Sequence, residues 1–148
     1  NSINIYFMEY ITKSPEETQK IGREFGNRLK GSEVIGLVGD LGGGKTTFVQ
    51  GVSRGLGLAG RLLSPTFIIV RRYQLREPFS FFYHIDLYRL QHTKEIEGVG
   101  FCEIIADPGA VVVIEWAERL DSLLPKDRVD IRFQVEKDNS HTISIRAN

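Results

Sequence analysis

The chain has little sulfur and no excess charge, and each shortage removes a class of explanation. One cysteine, Cys102, stands among 148 residues. An internal disulfide is therefore excluded, and a reducing compartment with a buried thiol is the expectation. Nineteen basic residues offset nineteen acidic ones. No global field would hold such a chain on nucleic acid or an anionic membrane, although local patches remain open to it. No apolar run reaches the length of a membrane helix and no signal-peptide pattern is visible, so a cytoplasmic location is expected. Repeats, linkers and low-complexity tracts are missing as well. A chain of this size then reads as one domain, residues 1–148, with a substantial core.

What is present is glycine, concentrated where it carries chemistry. Val34-Ile35-Gly36-Leu37-Val38 is an apolar strand that runs into Gly39-Asp40-Leu41-Gly42-Gly43-Gly44-Lys45-Thr46-Thr47. The spacing G-x-x-x-x-G-K-[ST] is that of a phosphate-binding loop. Its glycines let backbone N–H groups close around phosphate oxygens, where a Cβ would clash or forbid the backbone angles. Lys45 would reach the β- and γ-phosphates and Thr46 would offer a hydroxyl to Mg²⁺. The helix opening at Lys45 would turn the positive end of its dipole toward the anion.

Around the loop the elements can be taken in order. Ile3 to Ile11 reads as a strand. Ser14-Pro15-Glu16-Glu17 signals a helix start, with an N-cap Ser, a Pro at the first position and a Glu for a capping box. Ile21, Phe25 and Leu29 give that helix its apolar face and Gly31 closes it; Thr18 reads as a surface or capping-region threonine, with contact to a nucleotide base as the rarer alternative. The helix after the loop carries Phe48, Val49, Val52 and Leu56 and ends at Gly55-Leu56-Gly57. Phe67–Leu75 and Phe79–Asp86 form a hairpin about Arg76-Glu77-Pro78; of Arg71-Arg72 one is expected to face solvent and the other to sit at an edge, with a phosphate or partner contact as the alternative. Thr93–Ala106 gives short surface helices. Arg128–Glu136 and His141–Arg146 alternate strictly and form a final hairpin. Ser64-Pro65-Thr66 is either a strand-entry turn or a switch loop whose threonine approaches the γ-phosphate.

Two acids compete for the metal. Asp86 closes the apolar strand that contains His84, and Glu115 closes Val111-Val112-Val113-Ile114. In an open parallel-type sheet, ligands lie at the carboxyl ends of the strands, so both can stand near the phosphates. One would serve Mg²⁺ and the other would orient or polarise the attacking water. His84 reads as a hydrogen-bonded structural histidine, and Trp116 as core packing with a possible role in signalling to a partner.

Together Gly39–Thr47, Ser64-Pro65-Thr66-Phe67, Asp86-Leu87-Tyr88-Arg89-Leu90, Ile114-Glu115-Trp116 and Leu124-Pro125 resemble, in order and over nearly the whole chain, the bacterial TsaE (YjeE) family. The resemblance implies an α/β, three-layer P-loop NTPase fold whose mixed sheet is extended by β-hairpins. It implies an ATPase that uses ATP/ADP and Mg²⁺ and is required for threonylcarbamoyladenosine modification of tRNA. Its partner would be the TsaB–TsaD complex, reset between rounds, with tRNA met only indirectly and no membrane. By the same resemblance the phosphate loop is Gly39 to Thr46, the Walker B-like acid is Glu115, the additional acid is Asp86 and the switch-like segment is Ser64-Pro65-Thr66. Two positions depart from the family pattern. Gly43 stands where Ala is usual, which adds flexibility without blocking phosphate, and Ala117 stands where Pro is common.

The expected site is thus Lys45, Asp86 and Glu115 for catalysis, the loop residues for nucleotide, and Thr46 with Glu115 for metal. No Arg is placed by motif as a finger, so hydrolysis by the chain alone should be slow. A small-molecule P-loop kinase would need an acceptor pocket and an arginine-bearing lid, for which Arg71-Arg72 is the compact candidate. A nucleotide-dependent assembly factor that does not need hydrolysis is the third reading, and substitution of Glu115 separates it from the first.

Overall fold

A computed structural model describes residues 7–40, 42–60 and 70–147. The first elements are β1 (Phe7–Thr12), α1 (Pro15–Asn27), β2 (Val34–Gly39) and α2 (Lys45–Gly55). The hairpin strands β3 (Val70–Gln74) and β4 (Phe81–Asp86) follow, then the short helices α3 (Lys94–Glu97) and α4 (Phe101–Ala106) and the strand β5 (Val111–Glu115). Two 3₁₀ turns, Ala117–Arg119 and Asp121–Leu123, lead to β6 (Val129–Val135) and β7 (His141–Ala147). All seven strands form one sheet in the order β1-β7-β6-β2-β5-β4-β3. The inner four, β6, β2, β5 and β4, run parallel, and β7, β1 and β3 add antiparallel edges.

Alternation along the strands divides the interior into two layers. On β5, Val111 and Val113 face one core while Val112 and Ile114 face the other, so that all five residues of the strand are buried. The first core is closed by Phe25 and Leu29 from α1 and its exit, and by Phe48, Val49 and Val52 from α2. The second is closed by Ile96, Phe101, Ile104 and Leu120 from the segments before and after β5. A three-layer arrangement follows. Burying each such aliphatic side chain contributes about 1.5–3 kcal/mol, and Phe48→Ala, at a fully buried site, should cost about 3–5 kcal/mol.

Helix α1 starts as its sequence directs. The Ser14 hydroxyl accepts from Glu17 N at 3.1 Å, and the Glu17 carboxylate reaches back to Lys13 N at 2.6 Å. Its end differs from expectation: the helix stops at Asn27 with Arg28 as cap, and Gly31 instead makes a later turn at φ 113°. Leu29 is buried from outside the helix.

Helices α1 and α2 touch at glycine. A Cβ at Gly22 or Gly26 would drive into the α2 carbonyls of Phe48 or Val52, and one at Gly51 or Gly55 into those of Gln19 or Arg23. This approach fixes α2, and so the loop ahead of it.

Several single positions also depart from the sequence reading. Cys102 is exposed, not buried, because α4 turns Phe101 and Ile104 inward and leaves Cys102 on the outer face. Thr18 is 1% exposed rather than on the surface, and shares a 2.7 Å hydrogen bond with Thr12. The arginine pair agrees with the reading: Arg72 is exposed on the edge strand β3 and stacks on Phe81 at 4.3 Å, while Arg71 is half-buried with its Nε covered. The strand expected from Ile3 is described from Phe7 onward, and Leu41 and Ser64-Pro65-Thr66-Phe67 lie outside the described residues. No helix among the described residues is long and apolar enough to cross a membrane.

Candidate functional site

The parallel register brings the proposed residues to one edge. Strand β2 ends at Gly39, β5 at Glu115 and β4 at Asp86, with Asp86 directly opposite Glu115 and Leu37 opposite Glu115 on the other side. The two-residue alternation places His84, Asp86 and Glu115 on the sheet face that carries α1 and α2. They therefore stand where the loop turns into α2.

The loop is anchored to β6. Asp40 N donates to Phe133 O at 3.1 Å, and Val135 N donates to the Asp40 carboxylate at 3.1 Å. Gly39 has φ 130°, and a Cβ there would collide with the Phe133 backbone. Gly44, the residue that caps α2, has φ 101° and is flanked by Thr18 and His141. Both glycines hold conformations that other residues rarely adopt. Gly43 is tight in another way: a methyl would lie 2.9 Å from Asp40 O and 3.1 Å from Phe133 Cβ. In this chain the absence of the usual Ala relieves that crowding.

Lys45 is 5% exposed. Its Nζ donates to Gly39 O at 3.0 Å and Asp40 O at 2.9 Å and lies 4.5 Å from the centre of the Trp116 ring. Burial pulls its pKa below the ordinary lysine value, against the raising influence of Glu115, Glu118, Asp40 and Asp86. Trp116 itself is half-buried, at φ 61°, and packs against the exposed Tyr88 with ring centres 5.3 Å apart. It packs against the second core, as expected, and also covers the lysine.

Glu115 is 4% exposed and has both oxygens engaged. The Thr46 hydroxyl donates to Oε1 at 3.5 Å, the long limit of a hydrogen bond, and His84 Nε2 lies 2.6 Å from Oε2. Asp86 is half-buried and accepts from Tyr88 N at 3.0 Å. Burial raises its carboxyl pKa first, the Glu115 charge adds to this, and the Tyr88 bond opposes it.

The contact of Thr46 with Glu115 gives a hydroxyl and a carboxylate, a hard oxygen pair of the kind magnesium takes in phosphate sites, where waters and phosphate oxygens complete its shell. No cluster of three or more His, Cys, Asp or Glu side chains suited to a metal occurs among the described residues. The structure brings Lys45, Thr46, Glu115 and Asp86 together. Thr47 follows on α2, half-buried. The sequence reading missed His84 as the partner of Glu115 and His141 as a neighbour of Gly44; Thr18, considered there as a contact to a nucleotide base, also flanks Gly44. For His84 a signal existed, since it shares the parity of Asp86 on one strand.

A glycine loop between a central parallel strand and a helix, with an acid at the end of the neighbouring strand, defines the P-loop NTPase fold. Comparison with known proteins narrows this class. The family described as "Threonylcarbamoyl adenosine biosynthesis protein TsaE" matches residues 12–143, and the chain belongs to that family. Among its relatives, the Bacillus subtilis protein named "tRNA threonylcarbamoyladenosine biosynthesis protein TsaE" is 35% identical over 140 residues, 95% of this chain and 85% of that protein. The Treponema pallidum protein of the same name is 36% identical over 138 residues, covering 93% and 99%. The crystal structure of Bacillus subtilis YdiB superposes with a TM-score of 0.78 at 31% identity, covering 99% of this chain and 88% of the other.

Proposed function

We propose that this protein binds and hydrolyses ATP with Mg²⁺ in the pathway that makes threonylcarbamoyladenosine in tRNA, and that its turnover resets a TsaB–TsaD complex between rounds. The observation that carries the site assignment is the meeting of Thr46 and Glu115 at the mouth of a loop that also presents Lys45. The pathway follows from the names of the relatives. The neutral charge balance agrees with a protein that works through protein partners and not by gripping tRNA.

In this reading the amides of Gly39 to Thr46 and the Lys45 ammonium bind the triphosphate. Lys45 exchanges its bonds to Gly39 O and Asp40 O for phosphate oxygens, and desolvation strengthens the new interaction. Thr46 and Glu115 would hold the metal, which would supply positive charge to offset that of the triphosphate. Asp86, one strand away, orients the attacking water. Water adds to the γ-phosphorus, the bond to the β–γ bridging oxygen breaks, and ADP, phosphate and a proton leave. Nothing in the chain's motifs supplies a finger arginine, which fits slow turnover without partners.

The test is ATP turnover by the purified protein, alone and with TsaB and TsaD, with modified tRNA measured in parallel. Slow turnover accelerated by the partners is expected. Phosphate transferred to a small metabolite would replace this reading with a kinase, and full tRNA modification without turnover would replace it with a binding-only factor.

A further inference from the structure

His84 is 2% exposed and sits on the sheet face that carries α1 and α2, yet among the described residues only one of its ring nitrogens is bonded. Its Nδ1 is buried and has no hydrogen-bond partner among the described residues. A histidine kept only to hold a fold together is ordinarily satisfied at both nitrogens, because an unpaired buried polar atom costs stability. Among the described residues this one has a single polar engagement, the 2.6 Å bond to Glu115 Oε2. A carboxylate only accepts, so Nε2 carries the hydrogen.

We propose that His84 is a positioning residue for Glu115, holding Oε2 so that Oε1 stays turned to Thr46 and to the metal carried with a nucleotide. The assignment rests on the phosphate-loop reading given above. Three features of the geometry support it. The two oxygens of Glu115 have separate tasks, one bonded to His84 and the other 3.5 Å from the Thr46 hydroxyl. The terminal torsion of a glutamate is soft, so a carboxylate with one anchor removed can rotate. A competing cation is also at hand, since Lys45 Nζ lies 4.5 Å from the centre of the ring of Trp116, the residue next to Glu115. Without its histidine, the carboxylate would turn toward that ammonium. It would then be lost to the metal. Outer partners of this kind hold metal ligands elsewhere, and their loss typically weakens metal affinity or activity about 10–100-fold.

The experiment uses the full chain and two variants, His84→Leu and His84→Gln; the glutamine amide can present an N–H near the place of Nε2. Calorimetry measures binding of a non-hydrolysable ATP analogue in EDTA and across a Mg²⁺ titration, and thermal unfolding is recorded for each protein. For the leucine variant, the Mg²⁺ concentration giving half of the metal-dependent gain in affinity should rise about 10–100-fold, with folding cooperative and EDTA affinity within about threefold of wild type. The glutamine variant should recover most of the loss. A leucine variant with wild-type Mg²⁺ dependence would overturn the assignment. So would equal loss in both variants accompanied by weaker EDTA binding and a lower unfolding temperature, the pattern of a structural residue. Wild-type protein that binds no nucleotide, or binds it without regard to Mg²⁺, would remove the phosphate-loop reading itself, and this proposal with it.

Discussion

Glu115 and Asp86 occupy equivalent places, opposite each other at the ends of adjacent parallel strands, and their surroundings have little in common. Glu115 lies on β5, next to the central strand β2, and is almost fully buried, with Thr46 on one oxygen and His84 on the other. Asp86 is one strand nearer the edge, half-buried, and its shorter side chain turns back onto its own backbone at Tyr88. Position at a strand end thus nominates both acids. What separates them is reach and the neighbours already waiting at the end of that reach.

The largest effect should come from testing that division directly. Glu115→Gln keeps the size of the side chain and its contact with His84 while removing the charge. Partner-stimulated ATP turnover should fall about 10²–10³-fold, the range seen when one pre-aligned electrostatic group is lost from a catalytic site. Asp86→Asn should cost about tenfold, since a water can still be oriented by an amide. Measured turnover numbers for the two variants decide the matter. If Asp86→Asn costs as much as Glu115→Gln or more, the roles given to the two acids must be exchanged.

Lys45 sharpens the same contrast, because it feels both acids. Lys45→Met should abolish nucleotide binding in calorimetry, a loss of at least about 10²-fold in affinity or turnover. Its effect on the fold should have the opposite sign. Burial lowers the Lys45 pKa, so below the ordinary lysine value the unfolded chain holds this proton more firmly than the folded one, and folding carries a penalty. Methionine removes the penalty. The nucleotide-free variant should therefore unfold at a higher temperature than wild type at pH 7, and the difference should shrink as pH approaches the usual lysine range. A variant that unfolds earlier at pH 7 would show that the bonds to Gly39 O and Asp40 O outweigh desolvation.

Much of this was legible in sequence, for reasons that can be located. The run Val111–Ile114 is apolar at every position because both faces of β5 are covered, which marks a central strand. Glycine spacing marks the loop, and alternation marks the β6–β7 hairpin and its register. What escaped needs information that no local window holds. The His84–Glu115 bond joins residues 31 apart, and it becomes visible only when β4 and β5 are set parallel and in register. The glycines that bring α1 and α2 together look like weak helix formers until the two helices are placed side by side. Cys102 was assigned inward from the habit of its residue type, whereas the face of a six-residue helix was settled by Phe101 and Ile104. Thr18 was assigned outward by the same kind of habit, and the hydroxyl of Thr12 is what allows it inside.

The smallest expected effect concerns Asp86 and stability. Burial and the nearby Glu115 charge raise its carboxyl pKa above the ordinary value of 3.8, with the bond from Tyr88 N opposing them. The folded protein therefore binds this proton more tightly than the unfolded chain. As pH rises from about 4 through the raised pKa, the native state must give up a proton that it holds better, and stability falls across that window. Above it the cost is constant. Asp86→Asn removes the titration, so denaturant unfolding across pH 4 to 7 should show a flatter stability profile for the variant than for wild type. At pH 7 the variant should be the more stable by no more than about 1 kcal/mol, since the amide can still accept from Tyr88 N. At pH 4 the two should converge. A variant less stable than wild type at pH 7 would mean that the ionised Asp86 is held by its backbone bond more than it is penalised by burial. The contrast with Glu115 would then be one of strength and no longer one of kind.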